Sequence, residues 1–248
     1  MTCQLYNENC LEGMRRLADG SVDMILTDLP FSITDAAWDN KIPLKPMWQQ
    51  FKRVTKRNAA IALFASGKFL IELAASNLRD YRYKWCWRKN SPVNFLNAKR
   101  MPLRVHEDIL IFYAALPTYN PQFTQGKPYK KGRPATSRLY VPNGGKGFDE
   151  RGSLNVDGRR YPIDVQQFKQ PQGAHPTQKP VDLLEYLIRT YTNEGETVLD
   201  ATMGSGSTGV AAINTNRNFI GFETEKNFFT VAQKRIDEAI AQREQSLF

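Results

Sequence analysis

With 248 residues, 41% of them hydrophobic, the chain has the size and apolar content of one α/β domain, alone or carrying an insertion. Its purely apolar runs, such as Ala59 to Ala65, are too short to span a bilayer, and Met1 to Leu5 lacks the basic start of a signal peptide. Three scattered cysteines and two histidines exclude a disulfide framework or a Cys/His zinc site and fit a reducing cytoplasm, while a net charge of +9 points to a polyanionic partner.

In chain order, Gln4 to Tyr6 reads as a strand. Asn7 or Asn9 caps a helix with Leu11, Met14 and Leu17 on its apolar face. Asp19-Gly20-Ser21 turns into Val22 to Leu26, an apolar strand of the kind buried in a parallel sheet. Ser32 to Pro46 is polar and mixed, and reads as a loop over the strand ends. Leu44 to Arg57 is expected as a helix, Ala59 to Phe64 as a buried strand and Gly67 to Leu78 as a second helix. Tyr83 to Trp87 and Glu107 to Tyr113 read as strands. The connection between them is basic and polar, with Arg88, Lys89, Lys99 and Arg100.

Composition changes from Leu116 to Gly173. Glycine and proline are dense, and basic residues outnumber acidic ones ten to four. Lys127, Lys130, Lys131, Arg133 and Arg138 alternate with Tyr119, Phe123, Tyr129 and Tyr140. Cations interleaved with aromatic rings on a loop-rich segment suit phosphate contacts and base stacking. Regular structure resumes after His175, in a helix carrying Leu183, Leu184, Leu187, Ile188 and Tyr191. The expected division is therefore 1–114, an insertion over 115–173, and 174–248. The first and third parts make up one domain.

Two stretches carry chemistry. In the first, the strand Val22 to Leu26 runs into Asp28-Leu29-Pro30-Phe31. Ligands of open α/β sheets bind beyond the carboxyl ends of strands, so Asp28 stands where reactions are done. Pro30 turns the backbone away and leaves carbonyls free as acceptors, and Phe31 offers a flat face. An acceptor pair beside a ring suits a planar ligand with an exocyclic amine. In the second, the strand Thr197 to Asp200 leads into Gly204-x-Gly206-x-x-Gly209 and a helix, and the next strand, Asn218 to Phe222, ends at Glu223. That is the setting of a nucleotide-type cofactor. Asp200 would repel a pyrophosphate but suits a cationic amino-acid end. No lysine precedes Ser207-Thr208, so the loop is not a phosphate-binding Walker loop. Both points favour S-adenosylmethionine over a dinucleotide.

The order of these stretches resembles the β class of amino-group DNA methyltransferases, over nearly the whole chain. Asp28-Leu29-Pro30-Phe31 is similar to the D-P-P-Y motif, His175 to Pro180 to the segment before the cofactor strand, and Asp200 to Thr208 to D-P-F-x-G-S-G-T-T. Leu29, Phe31 and Ala201-Thr202 depart from those patterns. The resemblance implies a Rossmann-like methyltransferase fold, mostly parallel and seven-stranded, with circularly permuted motif order and a target-recognition insertion. It implies methyl transfer from S-adenosylmethionine to adenine N6 in double-stranded DNA by base flipping, because an Asp at the head of the motif is the adenine pattern. The alternatives are cytosine N4 and a catalytically silent DNA-binding relative. Asp28, Pro30 and Phe31 are then catalytic. Asn9, Asp28, Lys179, Asp200, Thr202, Gly204, Gly206, Ser207, Thr208 and Glu223 meet the cofactor, with Lys179 on its carboxylate. Arg88, Lys89, Lys99, Arg100, Lys127, Lys130, Lys131, Arg133 and Arg138 are assigned to DNA. A homodimer and a cognate restriction enzyme remain open as partners.

Overall fold

The computed structural model describes residues 1–30, 42–131, 153–170 and 178–245. Strand β1 (Cys3–Tyr6) leads through helix α1 (Cys10–Gly13) and a 3-10 turn to β2 (Val22–Thr27). Helix α2 (Leu44–Val54), β3 (Thr55–Ala65), α3 (Gly67–Ser76), β4 (Tyr81–Val93) and β5 (Arg104–Phe112) follow. Four short strands come next: β6 (Thr124–Gln125), β7 (Tyr129–Lys131), β8 (Ser153–Asn155) and β9 (Arg159–Arg160). The chain then runs through β10 (Val165–Gln167), α4 (Val181–Tyr191), β11 (Thr197–Asp200), α5 (Ser207–Asn214), β12 (Asn218–Phe222) and α6 (Lys226–Gln245).

Contacts divide the chain into two compact units, Met1–Asn120 with Asp164–Phe248, and Pro121–Ile163. The larger unit holds one sheet in the order β1-β12-β11-β2-β3-β5-β4-β10. All strands run the same way except β5, which is antiparallel to both neighbours. The expected sheet had seven strands; the eighth is β10, which pairs with β4 through Val165 and Cys86. That strand falls inside the 115–173 stretch, where its residues carry no hydrophobic period to announce it.

The central strands are buried on both faces, which is why they read as unbroken apolar runs. Met24, Leu26 and Phe64 face α4, α5 and α6. Ile25, Leu63 and Phe112 face α2 and α3, whose Phe51, Met47 and Phe69 fill the other layer. Several element ends differ from those expected. The α2 helix stops at Val54, and β3 begins at Thr55 without a loop. β4 continues to Val93, because its outer half pairs with β5 although it lacks apolar side chains.

In the smaller unit, β6 pairs with β9 and β7 with β8. Some of the interleaved aromatics and cations seen in the sequence satisfy each other there. The Arg159 guanidinium stacks 3.9 Å from the Phe123 ring, and that of Arg160 lies 4.5 Å from Tyr129.

Candidate active site

The chain leaves β2 toward β3 on one side and β11 toward β12 on the other, so adjacent strands β2 and β11 flank the point where the strand order reverses. A crevice forms at such a point. Asp28 follows β2 there and Asp200 ends β11. Because β5 is antiparallel, its amino end, with Glu107, reaches the same edge.

Lys179 joins these elements. Its ammonium forms an ion pair with Asp28 Oδ2 and lies 3.5 Å from Glu107 Oε2. The other oxygen of Glu107 is paired with Lys89. Both ammonium groups also lie over ring faces: Lys179 Nζ is 5.0 Å from the Phe64 centroid and Lys89 Nζ 5.0 Å from that of Trp87. Asp28 Oδ1 is buried and has no hydrogen-bond partner among the described residues. Burial pushes the Asp28 carboxyl upward against the pull of Lys179. Burial alone would lower the Lys179 ammonium, but the carboxylates of Asp28 and Glu107 outweigh it and hold it protonated. Glu107 is likewise desolvated, yet Lys179 and Lys89 keep it below the usual carboxylate range.

A second set of contacts ties the glycine loop to the Asp28 turn. The Thr202 hydroxyl donates to the Asp28 carbonyl at 2.9 Å and lies 2.9 Å from Thr27 Oγ1. The Thr202 N–H donates to Asp200 Oδ1 at 3.1 Å. Asp200 is 3% exposed, and burial pushes its carboxyl up to about 6. The Glu223 carboxylate accepts from Gly204 N at 2.9 Å and Glu225 N at 2.8 Å, and burial raises its pKa as well.

The three loop glycines differ in purpose. Gly204 has φ +51 and open space where a Cβ would stand, so its backbone can be approached by a ligand. A Cβ on Gly206 (φ +80) would meet Ala232 Cα at 2.9 Å, and one on Gly209 would meet Ile236 at 2.4 Å. Those two are required by the packing of α5 on α6. The acids and the open Gly204 backbone fit the cationic, hydroxyl-bearing cofactor expected there: Asp200 matches a cation, and each Glu223 oxygen keeps a lone pair for a hydroxyl.

The structure sets the expected site residues in these surroundings. Lys179 was expected on the cofactor's carboxylate; its charge is taken by Asp28 and Glu107. Lys89 was expected on DNA; it is 7% exposed and bound to Glu107. Asn9 uses its side chain to cap α1, accepting from Leu11 N at 2.8 Å. Ser207 is buried and receives Arg235 Nη1 at 3.3 Å, and Thr208 is buried beside it. Arg88, Lys99, Arg100, Lys127 and Lys130 are exposed. Phe31, Arg133, Arg138 and His175 lie outside the described residues, and of Lys131 only the backbone is described. Glu107 was not foreseen as a site residue. Its signal was parity: on the β4–β5 ladder Trp87 pairs with Glu107, which puts Glu107 on the face of Trp85, Trp87 and Lys89. On the opposite face, the ligand atoms of Cys86, His106 and Asp108 lie within 4.8 Å of one another, but Asp108 is ion-paired to Lys84 at 2.8 Å.

The chain is similar to known proteins over most of its length. The Type II methyltransferase M2.MboI of Moraxella bovis is 23% identical over 94% of this chain and 87% of its own length. The M1.HpyAVI–SAM complex superposes with a TM-score of 0.64 at 26% identity, covering 94% of this chain and all of that one. The cytosine-N4-specific PvuII DNA methyltransferase superposes with a TM-score of 0.69 at 14% identity, over 98% and 92% of the two chains. The family model described as DNA methylase matches residues 22–234, and the chain belongs to that N6/N4 DNA methylase family.

Proposed function

We propose that this protein is a site-specific methyltransferase that uses S-adenosylmethionine to methylate the exocyclic N6 of adenine in duplex DNA. The observation that carries the reading is the state of Asp28. One oxygen is held by Lys179, and the other is buried and, among the described residues, unpartnered at the carboxyl edge of β2. A buried acceptor without a donor is costly, and an incoming amine N–H removes that cost.

The bound cofactor supplies a methyl group on a positively charged sulfur. Asp200 and Glu223 bind and orient it beside the open backbone of Gly204. Asp28 Oδ1, with the Pro30 carbonyl, accepts the N–H bonds of the amine. This draws the nitrogen lone pair out of conjugation with the ring and aims it at the methyl carbon. Transfer would form the N–C bond as the S–C bond to the methyl breaks, its electron pair staying on sulfur, and the nitrogen would give up one proton, which Asp28 Oδ1 is placed to receive. Lys179 keeps Asp28 in one orientation, so the contribution is positioning and charge rather than strong basicity. Phe31 supplies the stacking face for the extruded base. Exposed Arg88, Lys99, Arg100, Lys127 and Lys130 meet phosphates, joined by Lys131, Arg133 and Arg138.

The test is methyl transfer from labelled S-adenosylmethionine to unmethylated genomic DNA, followed by digestion to nucleosides. Label in N6-methyladenine, absent with Asp28→Ala, is expected. Label in N4-methylcytosine would retain the mechanism and overturn the choice of base, since cytosine offers the same amine. DNA and cofactor binding without label would overturn the activity.

A further inference from the structure

β4 and β5 form a hairpin whose closed end points the same way as the Asp28–Lys179–Glu107 group. Its last pair is Val93 with Arg104. Arg104 is three residues from Glu107, so this pair lies about 10 Å farther out at ~3.3 Å per residue. The connecting residues close into a knob. Asn94 has φ 73, and its Oδ1 accepts from Asn97 Nδ2 at 2.7 Å. The amides of Ala98, Arg100 and Met101 return to carbonyls of Phe95 and Asn97 at 2.8–3.0 Å. This framework turns Phe95 and Leu96 outward, 79% and 98% exposed.

Single exposed apolar residues are common and mean little. Two adjacent ones at the head of an internally hydrogen-bonded knob are different, because their position is held in advance. Lys99 and Arg100 stand beside them, both exposed. No acidic residue occurs from Trp85 to His106, while the exposed Arg88, Lys99, Arg100 and Arg104 do. The head is therefore apolar within a cationic collar.

We propose that this hairpin head is a wedge that enters the base stack of duplex DNA. Leu96 leads, Phe95 follows, and Lys99 and Arg100 hold the flanking phosphates. The inference rests on the reading of the site as acting on a base in DNA. A base drawn out to Asp28 leaves its neighbours unstacked, and an apolar side chain entering from the groove lowers that cost. A contact between two copies of this chain would be apolar without calling for a uniform positive collar.

The test uses the full chain and three variants. L96W places an indole at the head. Duplex DNA is expected to quench its emission and to shield it from acrylamide, measured against the wild-type background of four tryptophans. Leu96→Ser should lower methyl transfer to native DNA about tenfold while S-adenosylmethionine affinity is unchanged. Lys99→Ala with Arg100→Ala should reduce the salt slope of DNA binding by about 2, one for each phosphate lost. An added indole that DNA neither quenches nor shields overturns the wedge. So does a Leu96→Ser protein that changes only from dimer to monomer in sedimentation, which would make the head an interface between copies. If DNA shields the indole and the wild type transfers no methyl, the reading of the site fails and the wedge stands. If the wild type methylates and the indole is untouched, the wedge alone fails.

Discussion

Lys179 and Asp28 lie 151 residues apart in the chain and form a part-buried ion pair at the point where the sheet reverses its strand order. Glu107 and Lys89 extend the pair into a chain of alternating charge. Each ion is desolvated, so each depends on its neighbour.

Removing Lys179 is therefore expected to cost more than removing its partner. Lys179→Met leaves Asp28 and Glu107 facing each other without the cation between them, and should destabilise the fold by about 3 kcal/mol. Asp28→Asn leaves Lys179 with Glu107 and should cost less. Urea unfolding of both variants and of the double variant checks this. The double variant should be more stable than the sum of the two losses, because the pair is coupled.

Asp200 makes the site sensitive to pH. Its carboxyl is pushed up to about 6, above the ~3.9 of a free Asp, so the folded state holds this proton more tightly than the unfolded chain. The ionised carboxylate thus lowers stability as pH rises from about 4 to about 6, and the penalty persists above that. Asp200→Asn should stabilise the ligand-free protein at pH 8, by up to about 3 kcal/mol for a two-unit shift, read as a higher melting temperature. The same substitution should abolish S-adenosylmethionine binding. In the unmodified protein, affinity for the cationic cofactor should fall below pH 6 as Asp200 takes up its proton. Calorimetric titration across pH 5 to 8 would show both.

The glycine loop separates binding from packing. Gly204→Ala meets open space and carries only the strain of a positive φ, about 1 kcal/mol, with weaker cofactor binding. Gly206→Ala adds a clash with the α6 backbone at Ala232 and should cost more stability than Gly204→Ala. Denaturant midpoints and cofactor titrations on the two variants should rank in opposite orders.

Thr202 links the two halves of the site through the Asp28 carbonyl. Thr202→Val should remove about 1 kcal/mol of stability. Methyl transfer should fall more than cofactor affinity, because the turn that carries Asp28 loses its tether. A fall in affinity alone would place Thr202 on the cofactor instead.

The strands and the two chemical stretches were legible in the sequence because they are local. Met24 to Leu26 is buried on both faces, so this part of β2 is an unbroken apolar run, and the acid shortly after it stood out. Gly204 to Gly209 followed a strand and opened a helix, which marks a ligand loop wherever it occurs. Residues whose purpose depends on a distant partner were not legible in this way. Lys179 reads as a basic residue near a helix start, and Lys89 as one cation in a basic connection. Tertiary structure turns both inward, because the antiparallel β5 carries Glu107 to the edge where Asp28 ends β2. It also separates Gly206 from Gly204, since only the packing of α6 shows which of two identical residues must leave room for protein and which for a ligand. Local sequence thus determined that an acid and a glycine loop end neighbouring strands of an α/β sheet. Long-range packing decided which charges neutralise each other, because burial makes every ion seek the nearest opposite charge, whatever its distance along the chain.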